Sequence, residues 1–159
     1  DLQARSALQK DQQGDVDEAE TMYGTALAML RSLRRSSRSS VTTGEILMLE
    51  AEIHENMGDL DEATRLLRQA RGYSEYREEA LMLLAMLDAE AGRCRSSVPR
   101  LESALFVDDD ADAPDNPRPW LALARCLNAQ GRGEDAAVAA QGAADRTSSP
   151  EEGAPSRRR

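Results

Sequence analysis

Four glycines, each with small residues at the same distances from it, are the feature that most constrains how this chain can fold. Seven residues before each glycine the sequence has Ala, twelve residues after it Ala again, and five residues after it Ala in three cases and Ser in one. The glycines are Gly14, Gly58, Gly92 and Gly131. Seven residues before the glycines are Ala7, Ala51, Ala85 and Ala124. Five residues after them are Ala19, Ala63, Ser97 and Ala136, and twelve residues after them are Ala26, Ala70, Ala104 and Ala143. Such an internal period predicts one supersecondary unit stacked several times.

The residue types at these positions predict a pair of helices joined by a short turn. Glycine ends a helix because it adopts the left-handed conformation at little cost. Acidic residues such as Asp59, Asp61 and Glu62 follow the glycine, where the dipole of a new helix favours negative charge. Alanine allows two helices to cross closely, since a larger side chain would separate their backbones.

The sequence resembles the tetratricopeptide repeat in two segments above all. These are Ala51…Gly58…Ala63…Leu67…Ala70 and Trp120…Ala124…Gly131…Ala136…Ala143. Gly58 and Gly92 are 34 residues apart, which is the period of that family. The resemblance implies an all-α fold, a right-handed superhelical stack of antiparallel helix hairpins of the α-solenoid type.

The repeat predicts one helical domain over residues 1–146 and a polar tail over 147–159. The predicted units are 2–33, 44–71, 76–107 and 117–145, and their helices are 2–13 and 15–33, 44–57 and 59–71, 76–91 and 93–107, 117–130 and 133–145. Between the units we expect a Ser/Arg-rich loop over 34–43 and an acidic loop over 108–116. Gln3, Ser97 and Pro99 depart from the family pattern, and Pro99 is expected to kink its helix because it lacks an N–H.

Composition supports a helical fold and argues against several functions. The chain has only five aromatic residues, so Leu, Ala and Met must build its core. A net charge of −9 repels phosphate backbones and argues against a general nucleic-acid binder. No apolar run is long enough for a transmembrane helix, and no signal peptide is visible. Cys94 and Cys126 are interpreted as packed free thiols, typical of a reducing, intracellular compartment.

The resemblance also implies a groove lined by the first helix of each unit. Helical spacing on those helices predicts a partner-binding stripe with apolar and acidic character, suited to a protein or peptide with basic and apolar groups. The alternative is that the Met residues of this stripe only pack against adjacent helices. The predicted partner-binding residues are Glu45, Met48, Glu52, Glu55, Met82, Met86, Arg125 and Asn128.

Some members of the family hold terminal carboxylates of chaperones with Lys, Arg and Asn, and we expect no such clamp here. The corresponding positions lack cations. They hold Ala4, Leu8, Glu45, Leu49, Glu79 and Leu83.

No catalytic, metal or cofactor site is predicted. His54 is the sole histidine and is interpreted as a packed, hydrogen-bonded residue. We therefore predict a non-enzymatic protein-interaction module or scaffold. A fixed structural subunit of a large multiprotein assembly and, less favoured, a helical-repeat RNA binder remain as alternatives.

Overall fold

The computed structural model describes residues 2–107 and 114–147, with side chains from Gln13 onward. Within these ranges every regular element is a helix, so the predicted all-α fold is confirmed. The α-helices are α1 (Leu2–Ser36), α2 (Ser40–Asn56), α3 (Leu60–Ala70), α4 (Arg77–Glu90), α5 (Cys94–Leu105), α6 (Pro117–Ala129) and α7 (Gly133–Thr147), and a short 3₁₀ helix covers Ser74–Tyr76.

Three of the four predicted glycine turns form as expected, after α2, α4 and α6. Gly58, Gly92 and Gly131 have φ angles of 79°, 83° and 75°, in the left-handed region. In each turn the residue after the glycine donates its backbone N–H to the carbonyl five residues earlier; for Asp59 and His54 this N···O distance is 2.8 Å. This pattern is a Schellman motif, which satisfies carbonyls that the helix end leaves without a partner.

The helix break predicted at Gly14 is wrong, because α1 runs without interruption from Leu2 to Ser36. Gly14 does not adopt a positive φ, and it has no neighbouring atoms where a Cβ would lie. Glycine permits a left-handed turn but does not require one, and within a helix it costs only about 1 kcal/mol relative to Ala. Gln13 also donates to Asp17 across this position, at 3.3 Å. The predicted helices 2–13 and 15–33 are therefore one helix.

The other boundaries agree with the sequence within a few residues, with one further difference. The loop predicted over 34–43 shrinks to residues 37–39, because α1 continues to Ser36 and α2 starts at Ser40. The side chain of Ser39 caps α2 by accepting from the N–H of Thr42. Pro99 lies inside α5 without ending it. Most of the predicted acidic loop, residues 108–113, and residues 148–159 of the tail lie outside the described residues.

The chain divides into two compact units, and the first extends to Ala80. In this unit α2 packs against α1, α3 and the 3₁₀ helix. Its core is made largely of small and aliphatic side chains, among them three of the predicted alanines, Ala51, Ala63 and Ala70. The buried residues include Leu27, Ile46, Leu47, Ala51, Ala63, Leu66, Leu67 and Ala70.

A buried ion pair joins α1 to α2 inside the first unit. The guanidinium of Arg34 lies 2.8 Å from the carboxylate of Glu50, whose side chain is only 2% exposed. A charge that is buried this deeply is costly without a partner. Arg34 therefore fixes the end of α1 against the middle of α2.

The second unit begins at Leu81, and in it α6 packs against both α5 and α7. Trp120 of α6 is buried and meets the ring of Phe106 edge-on, with 5.4 Å between the ring centroids. The guanidinium of Arg146 lies 4.3 Å above the Trp120 ring, and it donates 2.7 Å to the carbonyl of Pro114. Trp120 is thus held on two sides.

The two cysteines form a disulfide, so the prediction of free packed thiols is wrong. Cys94 begins α5 and Cys126 lies in α6, and their Cα atoms are 5.2 Å apart. A disulfide is typical of an oxidising environment rather than the reducing compartment expected from the sequence. Counting cysteines missed this bond because it depends on the packing of α5 against α6, which brings together residues 32 positions apart.

Gly142 of α7 gives a test of the packing of α7 against Trp120. A Cβ at Gly142 would lie 2.4 Å from the Trp120 ring, and that ring is buried between neighbours and has little room to shift. We expect Gly142→Ala to destabilise the chain by about 1–3 kcal/mol, measured by urea unfolding, because overpacking outweighs the better helix propensity of Ala.

The matched control is Gly24→Ala in α1, where nothing lies within 4 Å of the added Cβ. This substitution should leave stability unchanged or raise it by up to about 1 kcal/mol. Equal stabilisation by both substitutions would contradict the packing of Trp120 against α7.

Candidate partner-binding surfaces

The predicted binding residues occupy equivalent positions on three helices, counted back from the glycine that follows each helix. On α2 they are Glu45, Met48, Glu52 and Glu55. Glu45 and Glu52 are exposed, whereas Met48 and Glu55 are half-buried. The first unit therefore presents an acidic face along α2.

Leu49 is the apolar centre of this face, and the sequence reasoning did not include it among the binding residues. It follows Glu45 by four residues and precedes Glu52 by three, so the three side chains share one side of α2. Leu49 is 42% exposed, and Val41, one turn before Glu45, is also exposed. Helical spacing alone could have found Leu49. The sequence prediction assigned Leu49 to a position of the chaperone clamp and left it out of the stripe.

On α4 the same positions are much less accessible. Met82 is half-buried, and Met86 is 1% exposed. Glu79, one turn before Met82, is exposed. A partner would not reach Met86 in this conformation, which agrees with the alternative that this methionine packs inside the protein.

On α6 the equivalent face is exposed and basic rather than acidic. Leu121 is 50% exposed, and Arg125 and Asn128 are exposed beside it. Arg118, one turn earlier, donates two hydrogen bonds of 2.6–2.7 Å to the carboxylate of Glu90. Burial pulls the pKa of the Glu90 carboxyl upward, and the positive charge of Arg125 pulls it down in part.

The two units thus carry two separate candidate surfaces. The α2 surface of the first unit consists of Val41, Glu45, Met48, Leu49 and Glu52, and the α6 surface of the second unit consists of Leu121, Arg125 and Asn128. Because the structure describes each unit by itself, the continuous groove expected from the sequence stays a prediction.

His54 lies behind the α2 surface, where it packs in the interior. It is 7% exposed, and its Nδ1 atom lies 3.4 Å from a carboxylate oxygen of Asp59. Among the side chains that the structure describes, no group of three or more His, Cys, Asp or Glu residues could hold a metal ion. None of the described helices is both long and apolar enough to span a membrane.

Comparison with known families agrees with this architecture. Residues 82–151 match the family model of the tetratricopeptide repeat. The match begins within α4 and includes α5, α6, α7 and two of the three Schellman glycines. No curated protein matches the chain significantly. The match covers less than half of the chain, and over residues 82–151 the chain is similar to the tetratricopeptide repeat, a family of protein-interaction repeats.

Proposed function

We propose that this chain is a non-enzymatic interaction module whose α2 surface holds a partner segment with basic and apolar side chains. The observation that carries the proposal is the exposure of Leu49 between two exposed carboxylates, Glu45 and Glu52, on one side of α2. The other side of α2 packs against α1 and α3. The family match to a protein-interaction repeat supports the same class of function.

The apolar centre would supply affinity. Leu49 and Met48 lie side by side, and covering apolar surface is worth about 25 cal/mol per Å². Met adapts its shape to varied apolar partners, so this part of the surface does not demand one particular side chain. A helical or extended segment with one or two apolar anchors would fit.

The carboxylates would supply charge selection. Glu45 and Glu52 flank the apolar centre, so Arg or Lys in the partner would be attracted and acidic groups repelled. Such exposed ion pairs are each worth up to about 1 kcal/mol and weaken as salt is added. Binding at the α2 surface should therefore be stronger at low ionic strength.

The α6 surface would serve as a second contact region of opposite charge. Arg125 and Asn128 beside Leu121 suit a segment with acidic or amide groups. This assignment extends the proposed function to the second unit without requiring any particular arrangement of the units.

A charge-reversal experiment tests the α2 surface. The probe is a fluorescent amphipathic peptide of Leu, Ala and Arg, and its affinity is measured by anisotropy. We expect Glu45→Arg/Glu52→Arg to weaken binding about tenfold, since each reversal removes an attraction and adds a repulsion that together are worth about 0.7 kcal/mol at an exposed position.

The control is Asp61→Arg/Glu134→Arg, which changes the net charge equally at two exposed positions outside the α2 surface. It should weaken binding less than twofold. If both double variants lose affinity equally, only net charge matters and the α2 surface is not the binding site.

A further inference from the structure

The exposed sides of α2 and α6 carry opposite charges at the same positions of the repeat. Each side has an apolar residue between two charged ones, counted back from the glycine that follows the helix, Gly58 or Gly131. At thirteen, ten and six residues before the glycine, the pairs are Glu45 and Arg118, Met48 and Leu121, and Glu52 and Arg125. The two helices therefore present the same layout with the sign of the charge reversed.

Helical geometry keeps the three residues of each set on one side of their helix. Positions separated by three, four and seven residues lie within about 60° of one another around an α-helix. The two charged residues of each set are seven positions apart, about 10.5 Å along the axis, so their spacing matches between α2 and α6. Five of the six side chains are exposed; Met48 is half-buried and has the exposed Leu49 beside it.

Neighbouring charges reduce this complementarity but do not cancel it. Glu90 of α4 accepts two hydrogen bonds from Arg118, and its pKa also responds to the positive charge of Arg125. Two guanidinium groups thus lie near one carboxylate, which leaves an excess of positive charge on this side of α6. Neither Glu45 nor Glu52 takes part in an ion pair with a residue that the structure describes. The negative charge of the α2 surface is therefore not compensated by such a pair.

We propose that the partner of the α2 surface is the α6 surface of a second copy of this chain. The inference rests on the function proposed above, because the α6 surface has the apolar and basic side chains that the α2 surface is suited to hold. Leu121 would cover Leu49, while Arg125 is attracted to Glu52. The contact joins the first unit of one copy to the second unit of another, and it requires no particular arrangement of the units within a copy.

The two sides of this contact are different surfaces, so the contact is heterologous. Each copy can bind one neighbour through α2 and another through α6. Association then does not stop at two copies, unless the contacts close into a ring of several copies. Exposed ion pairs weaken as salt is added, so the assembly should be largest at low ionic strength.

Sedimentation equilibrium of the 159-residue chain tests the proposal at concentrations up to about 100 µM, a range that detects micromolar association. We expect the average mass to rise with concentration beyond that of a dimer and to fall towards that of a monomer as salt is added. A chain that stays monomeric at low salt would overturn the proposal. If that monomer binds the basic amphipathic peptide on α2, the proposed function stands; if it does not bind, both fail.

Two variants, each altered on one surface, distinguish this contact from other kinds of association. Glu45→Arg/Glu52→Arg alters the α2 surface, and Leu121→Gln/Arg125→Gln alters the α6 surface; each alone should be monomeric in the same concentration range. Mixed in equal amounts, they should form a one-to-one complex and nothing larger, because one variant retains its α6 surface and the other its α2 surface. A mixture that stays monomeric would contradict the pairing of α2 with α6.

The matched control for the α6 variant is Val138→Gln/Arg95→Gln. It replaces one apolar residue and one arginine at exposed positions of α7 and α5, outside the α6 surface. The control should associate as the unaltered chain does, and all variants should retain its circular dichroism spectrum. Equal loss of association in the control and in Leu121→Gln/Arg125→Gln would show that the α6 surface is not the contact.

Discussion

Reduction of the disulfide between Cys94 and Cys126 should lower the free energy of unfolding of the second unit by about 3 to 4 kcal/mol. The bond joins residues 32 positions apart, so in the unfolded chain it closes a long loop and removes much of its conformational entropy. It also joins α5 to α6, two helices whose connecting segment spans residues 106–116. For a unit of this size the thermal midpoint should fall by roughly 15 °C or more.

Trp120 provides a local probe for this experiment. It is the only tryptophan of the chain and is buried in the second unit, so its fluorescence reports on unfolding there. Urea unfolding followed by tryptophan fluorescence should shift to lower urea when a reductant is added. Cys94→Ser should unfold at the reduced midpoint and be insensitive to reductant. The same midpoint with and without reductant in the unaltered chain would contradict a stabilising role for the disulfide.

Arg34→Met should destabilise the first unit by about 2 to 4 kcal/mol. The substitution leaves the Glu50 carboxylate buried without the guanidinium that lies 2.8 Å away. Breaking a buried ion pair by removing one partner typically costs about 3 to 5 kcal/mol, and the partial exposure of Arg34 reduces this figure somewhat. The loss should be measured by circular dichroism or tyrosine fluorescence, because all three tyrosines belong to the first unit.

Two further variants identify the cause of that loss. Arg35→Met removes the neighbouring exposed guanidinium and should change stability by no more than about 0.5 kcal/mol. Arg34→Met/Glu50→Leu removes both charges and should recover most of the lost stability, since an apolar pair can replace a buried ion pair. Similar losses in the Arg34 and Arg35 variants would show that the buried pair is not responsible.

The sequence predicted the hairpin turns because their cause is local. A glycine that can adopt positive φ, acidic residues after it and alanines at fixed offsets are all visible in a short window. Ala51, Ala63 and Ala70 are buried as the repeat requires. The same rule failed at Gly14, where the flanking residues also favour helix and a single helical glycine costs too little to break it.

Features that depend on tertiary packing were harder to predict. The Cys94–Cys126 bond requires α5 to lie against α6, and neither cysteine has a local signal of its partner. The Arg34–Glu50 pair was missed because the sequence predicted a loop from Arg34 onward, whereas α1 extends to Ser36 and holds Arg34 beside α2.

The candidate surface was predicted in part. Helical spacing identified Glu45 and Glu52, which are exposed, but it also selected Met86, which is buried. Helical spacing predicts which residues share one side of a helix. Whether that side is accessible depends on the neighbouring helices, whose packing the sequence does not give. Leu49 shares the side of α2 that carries Glu45 and Glu52 by helical spacing, but its exposure follows only from the structure.

The measurement that tests the central claim most directly is a titration of the isotope-labelled chain with the basic amphipathic peptide, followed by backbone amide NMR shifts. The proposed function predicts that the largest shifts fall on Glu45, Met48, Leu49 and Glu52 of α2, and that they diminish in Glu45→Arg/Glu52→Arg. Shifts that spread evenly over the chain, or that concentrate elsewhere and persist in the double variant, would contradict a partner-binding surface on α2.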